Sequence, residues 1–121
     1  MEVKKLNLSS YKSLEALTLY YTKLSGNTLS LSPCKKLKEL SVTATKLPKL
    51  QLTKNTKLQI PELTDSSLKT LDLTGCTKLT NLHIRNNPLN TLTVSKNSSS
   101  TSKKLFQKAV RENGGKLLYR P

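Results

Sequence analysis

The sequence contains one histidine, His83, which is the first residue to consider for acid–base or metal chemistry. It shares an alternating apolar and polar segment with Arg85, and this alternation places both side chains on the outward side of a strand. A nucleophile with its base, or a metal site, requires several convergent groups, and nothing is spaced to accompany His83. The carboxylates are scattered along the chain: Glu15, Glu39, Glu62, Asp65 and Asp72. We therefore expect no catalysis, no metal and no cofactor.

Cys34 and Cys76 are the second pair of reactive side chains. They occupy equivalent places in a repeat of about 21 residues, and they are therefore two repeats apart. Because neighbouring parallel strands lie about 4.8 Å apart, the two backbones should be roughly 10 Å apart. A disulfide requires Cα atoms within about 7 Å of each other. The spacing predicts two small buried thiols instead of a bridge.

Lysine and arginine dominate the charge, because 21 of them against 7 acidic residues give a net charge of +14, which favours acidic partners. Lys36, Lys57 and Lys78 are spaced 21 residues apart and should form a column. What we call the basic edge also includes the lysines near this column: Lys35, Lys38 and Lys54. Like charges about 5 Å apart repel, so an acidic polymer would relieve a cost there. Exposed lysines also keep stacked strands soluble and protect their edges, and both explanations stay open.

Nucleic acid is supported as a partner only in a general way. The chain has few aromatic residues, four Tyr and one Phe, and it contains no specific nucleic-acid motif. Without aromatic stacking residues or a known module, only sequence-independent attraction to phosphate is expected.

A leucine repeat positions all of these residues, and it is clearest in LKTLDLTGCTKLTNLHIRNNPLNTLTVSKN, residues 68–97. The repeating pattern, which we call the frame, is a leucine, any two residues, a leucine, any one residue, an aliphatic residue, any two residues, and then Cys or Asn. Its three copies in this segment end at Cys76, Asn87 and Asn97. Two aliphatic residues separated by one other indicate a short strand with both side chains inward. So regular a repeat predicts stacked turns of chain instead of a globule with one closed core.

Alternate units of the frame share features, so each turn of chain should contain two strands. The first column of strands is predicted at residues 6–8, 29–31, 50–52, 71–73 and 92–94, and the second at 17–19, 40–42, 61–63 and 82–84. We expect a mainly β leucine-rich-repeat solenoid of about 4–5 coils, with two parallel sheets facing each other across a leucine core. Gly26-Asn27 predicts a small bulge. Pro61, which lacks an amide hydrogen, predicts an interruption of the second sheet.

A short side chain with a hydrogen-bonding group follows each strand, where the chain turns a corner. Such a side chain can satisfy buried backbone groups of its own coil and of the neighbouring coils. The residues at this position are Tyr11, Thr22, Cys34, Thr45, Asn55, Ser66, Cys76, Asn87 and Asn97. Tyr11 is the exception, as expected at an end coil.

The repeat stops after Asn97. Residues 98–102 form a polar linker, and Ser102 is predicted to cap a helix over 102–113 that ends before Gly114-Gly115. Residues 116–119 predict a last strand, so the chain should end in a short C-terminal capping helix and a terminal strand. Because the last coil of a solenoid exposes leucines, we assign residues 1–97 to the solenoid and 98–121 to a C-terminal cap.

The outward residues of the two sheets differ in type. Those of the first sheet are small and polar, which is typical of a solvated face. The second sheet carries Tyr, His and Arg, which are enriched where surfaces bind partners. The predicted partner-binding residues are Thr18, Tyr20, Tyr21, Thr43, Thr64, His83 and Arg85. The simpler explanation, that this face is also merely solvated, stays open.

The segment LDLTGCTKLTNLHIRNNPLNTLTVSKN resembles the short leucine-rich repeats, about 21 residues long, of bacterial surface proteins of the internalin J type. The resemblance extends over residues 3–97. It implies a secreted or surface-attached protein that binds a protein or glycan without catalysis. Binding of nucleic acid or an acidic glycan at the basic edge is the alternative function.

The expected compartment follows from the same resemblance. We expect a monomer outside the cell or at its surface, with a leader absent from this chain, and the cytosol stays open as the other location. No apolar run reaches the length of about 18 residues that a membrane span needs, so no transmembrane segment is expected.

Overall fold

The computed structural model describes residues 6–24 and 29–121, together with the backbone of residues 2–3. This part of the chain contains ten strands and one helix. The strands are β1 (Glu2–Val3), β2 (Ala16–Tyr20), β3 (Lys23–Leu24), β4 (Glu39–Thr43), β5 (Lys49–Gln51), β6 (Ile60–Thr64), β7 (Thr70–Asp72), β8 (His83–Arg85), β9 (Thr91–Ser95) and β10 (Lys116–Arg120). The helix, α1 (Ser100–Asn113), lies between β9 and β10.

Two four-stranded sheets contain most of the strands, and all of their pairs are parallel. The second sheet has the order β2-β4-β6-β8, and the first sheet has the order β5-β7-β9-β10. From β4 to β9, successive strands alternate between the two sheets, as the two strand columns of the sequence predicted. Leu50, Leu71 and Leu92 are in register, and so are Leu40 and Pro61. The prediction of two parallel sheets is confirmed.

Two strands predicted for the first sheet are wrong, because residues 6–8 and 29–31 form no strand. Leu8 and Leu31 are nevertheless buried. Alternation therefore identified Leu8 and Leu31 as inward-facing, but Leu6 is exposed instead, and the backbone does not pair. A small parallel pair of β1 and β3, which the sequence did not predict, is present instead. The bulge predicted at Gly26-Asn27 lies outside the described residues.

The predicted interruption of the second sheet at Pro61 is also wrong, because β6 pairs with β4 over its full length. Alternate residues of a parallel strand direct their backbone groups to opposite neighbours. The Ile60 amide donates on the β4 side, and the Gln59 carbonyl accepts on the β8 side. Pro61 therefore lacks an amide hydrogen only on the side that faces β8. Pairing of β6 with β8 begins one residue after Pro61, where Glu62 lies opposite His83.

The core between the sheets consists almost entirely of leucine. Strands β2 to β9 contribute inward aliphatic residues, and a further leucine follows most corners. The largest fully buried side chains are Phe106, Leu31, Leu37, Leu40, Leu47, Leu50, Leu52, Leu58, Leu63, Leu68, Leu71 and Leu73. Because burying one such side chain stabilises a protein by about 1.5–3 kcal/mol, the leucine frame is the main source of stability.

Hydrogen-bond ladders hold the corners, as predicted, except after β9, where the predicted ladder residue Asn97 is exposed. We call the turn after each first-sheet strand the first corner and the turn after each second-sheet strand the second corner. At the second corner, Asn87 Nδ2 donates to the carbonyls of Leu63 and Arg85, both at 2.9 Å. Its Oδ1 accepts from the amides of Ser66 (3.0 Å) and Leu68 (3.1 Å). One side chain thus satisfies four backbone groups in two successive repeats.

Every second-sheet strand is followed directly by a residue with left-handed backbone. The φ angles lie between 49° and 56° at Tyr21, Ala44, Asp65 and Asn86. This conformation costs a non-glycine residue roughly 1–2 kcal/mol, so it must be compensated by the contacts of the turn. It brings the next residue, such as Asn87, into the buried ladder. Asp65 and Asn86 are residue types that tolerate this conformation, whereas Tyr21 and Ala44 gave no sign of it.

Helix α1 begins at Ser100, two residues before its predicted start. Its N-cap is Ser99, whose Oγ accepts from the Ser102 amide at 3.1 Å, so the prediction of Ser102 as the cap is wrong. Several consecutive serines and a threonine can cap a helix, and the sequence pattern does not choose among them. The described residues contain no helix that is long and apolar enough to cross a membrane.

The end of α1 continues the second-corner ladder. Asn113 Nδ2 donates to the Ile84 carbonyl at 2.7 Å, and its Oδ1 accepts from the Asn87 amide at 3.2 Å. Asn113 therefore occupies the place that the polar side chain of a further repeat would take. Gly114, with φ 80°, ends the helix in the left-handed conformation, and β10 then pairs with β9.

Candidate binding surfaces

The outward face of the second sheet arranges the predicted partner-binding residues in two rows. One row is Tyr20, Thr43, Thr64 and Arg85, and the other is Thr18, Ser41, Glu62 and His83. The rows follow from the parallel register, in which equivalent residues of successive repeats lie side by side. Adjacent strands lie about 4.8 Å apart, so each row extends roughly 14 Å across the sheet. Six of the seven predicted residues therefore lie together on this face.

Tyr21, the seventh residue, joins the face through a ring contact. The Tyr20 and Tyr21 rings pack edge to face, with centroids 4.3 Å apart and an interplanar angle of 89°. Both side chains are more than 60% exposed. The left-handed backbone of Tyr21 brings the two consecutive rings together, because residues in a continuous strand would point to opposite faces. Hydrogen bonding with Tyr21 raises the pKa of the Tyr20 hydroxyl.

The structure gives His83 a neighbour that the sequence did not indicate. Glu62 lies directly opposite His83 on the adjacent strand, and Ser41 lies one strand further along the same row. Glu62 lies between His83 and Ser41 in this row. The His83 and Ser41 positions are therefore two strand spacings apart, roughly 10 Å. A histidine acting as base must reach the nucleophile within about 3.2 Å. This row is therefore not arranged as a nucleophile and base.

The basic edge lies at the first corner. Hydrogen bonds before and after the column of Lys36, Lys57 and Lys78 fix the alignment of successive repeats there. Before the column, Asn55 Nδ2 donates to the Cys34 carbonyl at 3.0 Å. After the column, the Gln59 amide donates to the Lys38 carbonyl and the Thr80 amide donates to the Gln59 carbonyl, both at 2.9 Å. The lysines between these anchors must therefore stack at one strand spacing, about 4.8 Å. The exposed residues of this edge are Lys35, Lys36, Lys38, Lys54, Lys57 and Lys78.

Two of the basic-edge side chains have partners. Lys38 Nζ lies 3.1 Å from a Glu15 carboxylate oxygen, which is the one ion pair found among the described residues. Lys35 Nζ donates to the Ser32 carbonyl at 2.8 Å. With both partners largely exposed, the Lys38 pair contributes little to stability. The column of Lys36, Lys57 and Lys78 thus presents three positive charges in a line.

Both cysteines are free thiols buried at the first corner, as predicted. Cys76 Sγ donates to the Leu52 carbonyl at 3.3 Å and takes the ladder position that Asn55 occupies one repeat earlier. Burial, reinforced by the negative charge of Asp72, raises the pKa of Cys76 to about 12. Burial also raises the pKa of Cys34. Neither thiol is therefore suited to nucleophilic chemistry at neutral pH.

The outward face of the first sheet contains a shallow hollow that the sequence did not predict. Its volume is about 260 Å³, and its lining includes Asp72, Thr93, Leu118 and Arg120. Thr93 is only 8% exposed because Leu118 of β10 lies opposite it. The first face is thus less uniformly solvated than its small polar residues suggested, since β10 adds an apolar and a basic side chain.

The described residues contain no group of three or more His, Cys, Asp or Glu side chains that could hold a metal ion. No protein-family model matches the chain, and a search of curated proteins finds no significant relative. The surfaces must therefore be interpreted from their own geometry and charge.

Proposed function

We propose that this chain is a leucine-rich-repeat solenoid that acts as a non-enzymatic binding module, and that it recognises a protein or glycan outside the cell or at its surface. The two parallel sheets with strands in register every 21 residues support the solenoid. The resemblance of residues 3–97 to short bacterial leucine-rich repeats supports the compartment. Residues 98–121 act as its C-terminal cap, because Asn113 extends the ladder and β10 extends the first sheet.

One observation carries the binding proposal: the exposed Tyr20–Tyr21 pair is in register with Arg85 on the outward face of the second sheet. Large exposed aromatic rings gain further stability when a partner covers their apolar surface. Tyrosine and arginine also supply a large share of the binding energy in known interfaces. The small threonines between them leave a flat strip on which a partner could lie against the backbone of the sheet.

Substitution of Tyr20 and Arg85 by alanine tests this face. The wild-type protein is screened against a glycan array and a panel of purified cell-surface proteins, and the affinity of each bound ligand is then measured for the double variant. We expect a loss of at least about tenfold, because tyrosine and arginine at the centre of an interface each typically contribute more than 1 kcal/mol. The melting temperature should stay unchanged, since both side chains are exposed.

The matched control is the double variant Gln51→Ala and Thr70→Ala on the outward face of the first sheet. It removes two polar side chains from the other face and should keep full affinity. Equal affinity of the wild-type protein and the Tyr20 and Arg85 variant for every ligand would show that the partner binds elsewhere. Failure to bind any glycan or protein of the panel would reject the proposed class of partner.

The lysine column supports a second candidate function, binding of an acidic polymer such as nucleic acid or an acidic glycan. The specific observation is the alignment of Lys36, Lys57 and Lys78 between backbone bonds that fix their register. Three like charges about 4.8 Å apart repel one another, and a chain of anionic groups would replace this repulsion with attraction.

Substitution of Lys36, Lys57 and Lys78 by glutamine tests the column. The affinity for heparin and for a single-stranded oligonucleotide is measured as a function of salt concentration. If each lysine neutralises one phosphate, the slope of log K against log salt for the oligonucleotide should become shallower by about 2. Heparin binding should weaken in parallel.

The control for net charge replaces Lys23, Lys46 and Lys69, which are exposed near the second corner, by glutamine. Both variants lose three positive charges, so a general effect of net charge would weaken binding equally in the two. An equal change in slope for both variants, or no binding by the wild-type protein at physiological salt, would exclude a site at the column.

A further inference from the structure

Strand β10 stands at the end of the first sheet, with β9 on one side only. The Lys116 amide donates to the Asn90 carbonyl at 2.8 Å, and the Arg120 carbonyl accepts from the Lys96 amide at 2.7 Å. Because backbone groups of a strand alternate in direction, residues 116, 118 and 120 face β9. The amides and carbonyls of Leu117 and Tyr119 therefore point away from the sheet and form its outer edge.

The second sheet is closed at the same end of the molecule in a different way. Helix α1 packs against β8, and Asn113 binds the Ile84 carbonyl there. Helix α1 also contacts β10, but no strand pairs with the outer edge of β10 among the described residues, because the sheet order ends with this strand. An exposed strand edge is a template for pairing with another strand.

The side chains along β10 have a simple pattern. Lys116, Leu118 and Arg120 alternate along the strand and therefore share the outward face of the first sheet. Leu118 is 46% exposed although it is apolar, and it lines the hollow described above. The edge thus offers a positive charge, an apolar surface and a second positive charge at alternate positions.

This pattern disfavours a second copy of the chain as the occupant. Two copies of β10 would pair antiparallel about a twofold axis centred on Leu118, as in most homodimers. That arrangement sets Lys116 of each copy opposite Arg120 of the other, and like charges directly opposite are destabilising. The complementary occupant has acidic residues at the two outer positions and an apolar residue between them.

We propose that the outer edge of β10 binds an extended acidic segment of another protein as an additional strand of the first sheet. The segment has the pattern acidic, any residue, apolar, any residue, acidic. Its backbone bonds to the free amides and carbonyls of Leu117 and Tyr119. Its carboxylates pair with Lys116 and Arg120, and its apolar side chain covers Leu118. This site is separate from the Tyr20 and Arg85 face and does not depend on it.

The test uses the full chain and a blocked seven-residue peptide with glutamate at positions 2 and 6, leucine at position 4 and threonine elsewhere. Binding is followed by two-dimensional amide NMR, and the largest shifts are expected at Leu117 and Tyr119. A peptide of the same composition with adjacent glutamates at positions 1 and 2 should bind at least about fivefold more weakly, because only one charge pair can form. Equal affinity, or shifts confined to the basic edge, would reduce the interaction to general charge attraction and overturn the proposal.

Backbone pairing is tested separately with N-methylated peptides. Methylation at positions 3 and 5 removes the donors that face β10 in an antiparallel arrangement, and methylation at positions 4 and 6 removes those that face the Leu117 and Tyr119 carbonyls in a parallel one. One of the two peptides should lose about tenfold or more in affinity while the other does not. Full affinity of both would show that no strand is added.

The charge pattern is tested with the double variant Lys116→Glu and Arg120→Glu. It should reverse the preference, so that a peptide with lysine at positions 2 and 6 binds better than the glutamate peptide. Its thermal melt is compared with that of the wild-type protein to establish folding. An unchanged preference for the glutamate peptide, or a concentration-dependent dimer of the wild-type protein that the peptide cannot displace, would overturn the proposal.

Discussion

Replacement of Asn87 by leucine is expected to lower the free energy of unfolding by about 3–6 kcal/mol. The side chain is only 5% exposed and forms four hydrogen bonds with backbone groups of two repeats. A leucine of similar size would fill the space but leave the amides of Ser66 and Leu68 and two carbonyls without partners. Each unsatisfied buried group costs about 1–3 kcal/mol, and partial access of water at the corner accounts for the lower bound.

Denaturation in urea, followed by circular dichroism, measures the effect. The matched control is Asn90→Leu, which introduces the same side chain at an exposed position of the following loop. The control should change the free energy of unfolding by no more than about 0.5 kcal/mol. A loss below about 1 kcal/mol for Asn87→Leu would mean that the ladder contributes little and that leucine packing alone determines stability.

Replacement of Phe106 by alanine is expected to cost about 3–5 kcal/mol. Phe106 is the largest fully buried side chain and belongs to the α1 face that covers the end of the leucine core. Its removal leaves a cavity between the helix and the last strands, where backbone bonds of β9 and the Asn113 ladder limit collapse. The same loss would weaken the helix that closes the second sheet.

The loss is measured by urea denaturation and by hydrogen exchange of the β8 and β9 amides. Two variants serve as controls. Gln107→Ala is exposed on the same helix and should be nearly neutral, and Phe106→Leu retains most of the apolar volume and should cost less than half as much as alanine. If Phe106→Ala unfolds like the wild-type protein, α1 does not protect the core, and its proposed role as a cap is wrong.

The repeat frame predicted most of the second sheet because inward side chains alternate with outward ones in every strand. All four predicted strands of that sheet are present, as β2, β4, β6 and β8. The frame wrongly predicted strands at residues 6–8 and 29–31, where Leu8 and Leu31 are buried although the backbone forms no strand. It also overstated the effect of Pro61, because a missing amide hydrogen matters only on the side to which that residue points.

The candidate sites were harder to predict than the strands. The outward positions of Tyr20, His83 and Arg85 followed from alternation, and the column of basic-edge lysines followed from the period of 21 residues. The contact between Tyr20 and Tyr21 did not follow from the sequence. It depends on the left-handed backbone of Tyr21, and no glycine stands there to indicate that conformation. The placement of Glu62 beside His83 also depends on strand register, which brings together residues that are distant in the sequence.

The sequence by itself determined the period, the leucines that face inward, the polar side chains at the corners and the strong positive charge. These are properties of each repeat, and local spacing is enough to specify them. The sequence also predicted a final helix and strand, but the tertiary structure alone decided their contacts: α1 packs against β8, Asn113 binds the Ile84 carbonyl, and no further strand pairs with β10 among the described residues. The reason is that the end has no following repeat to copy, so its contacts arise from long-range packing that no periodic pattern describes.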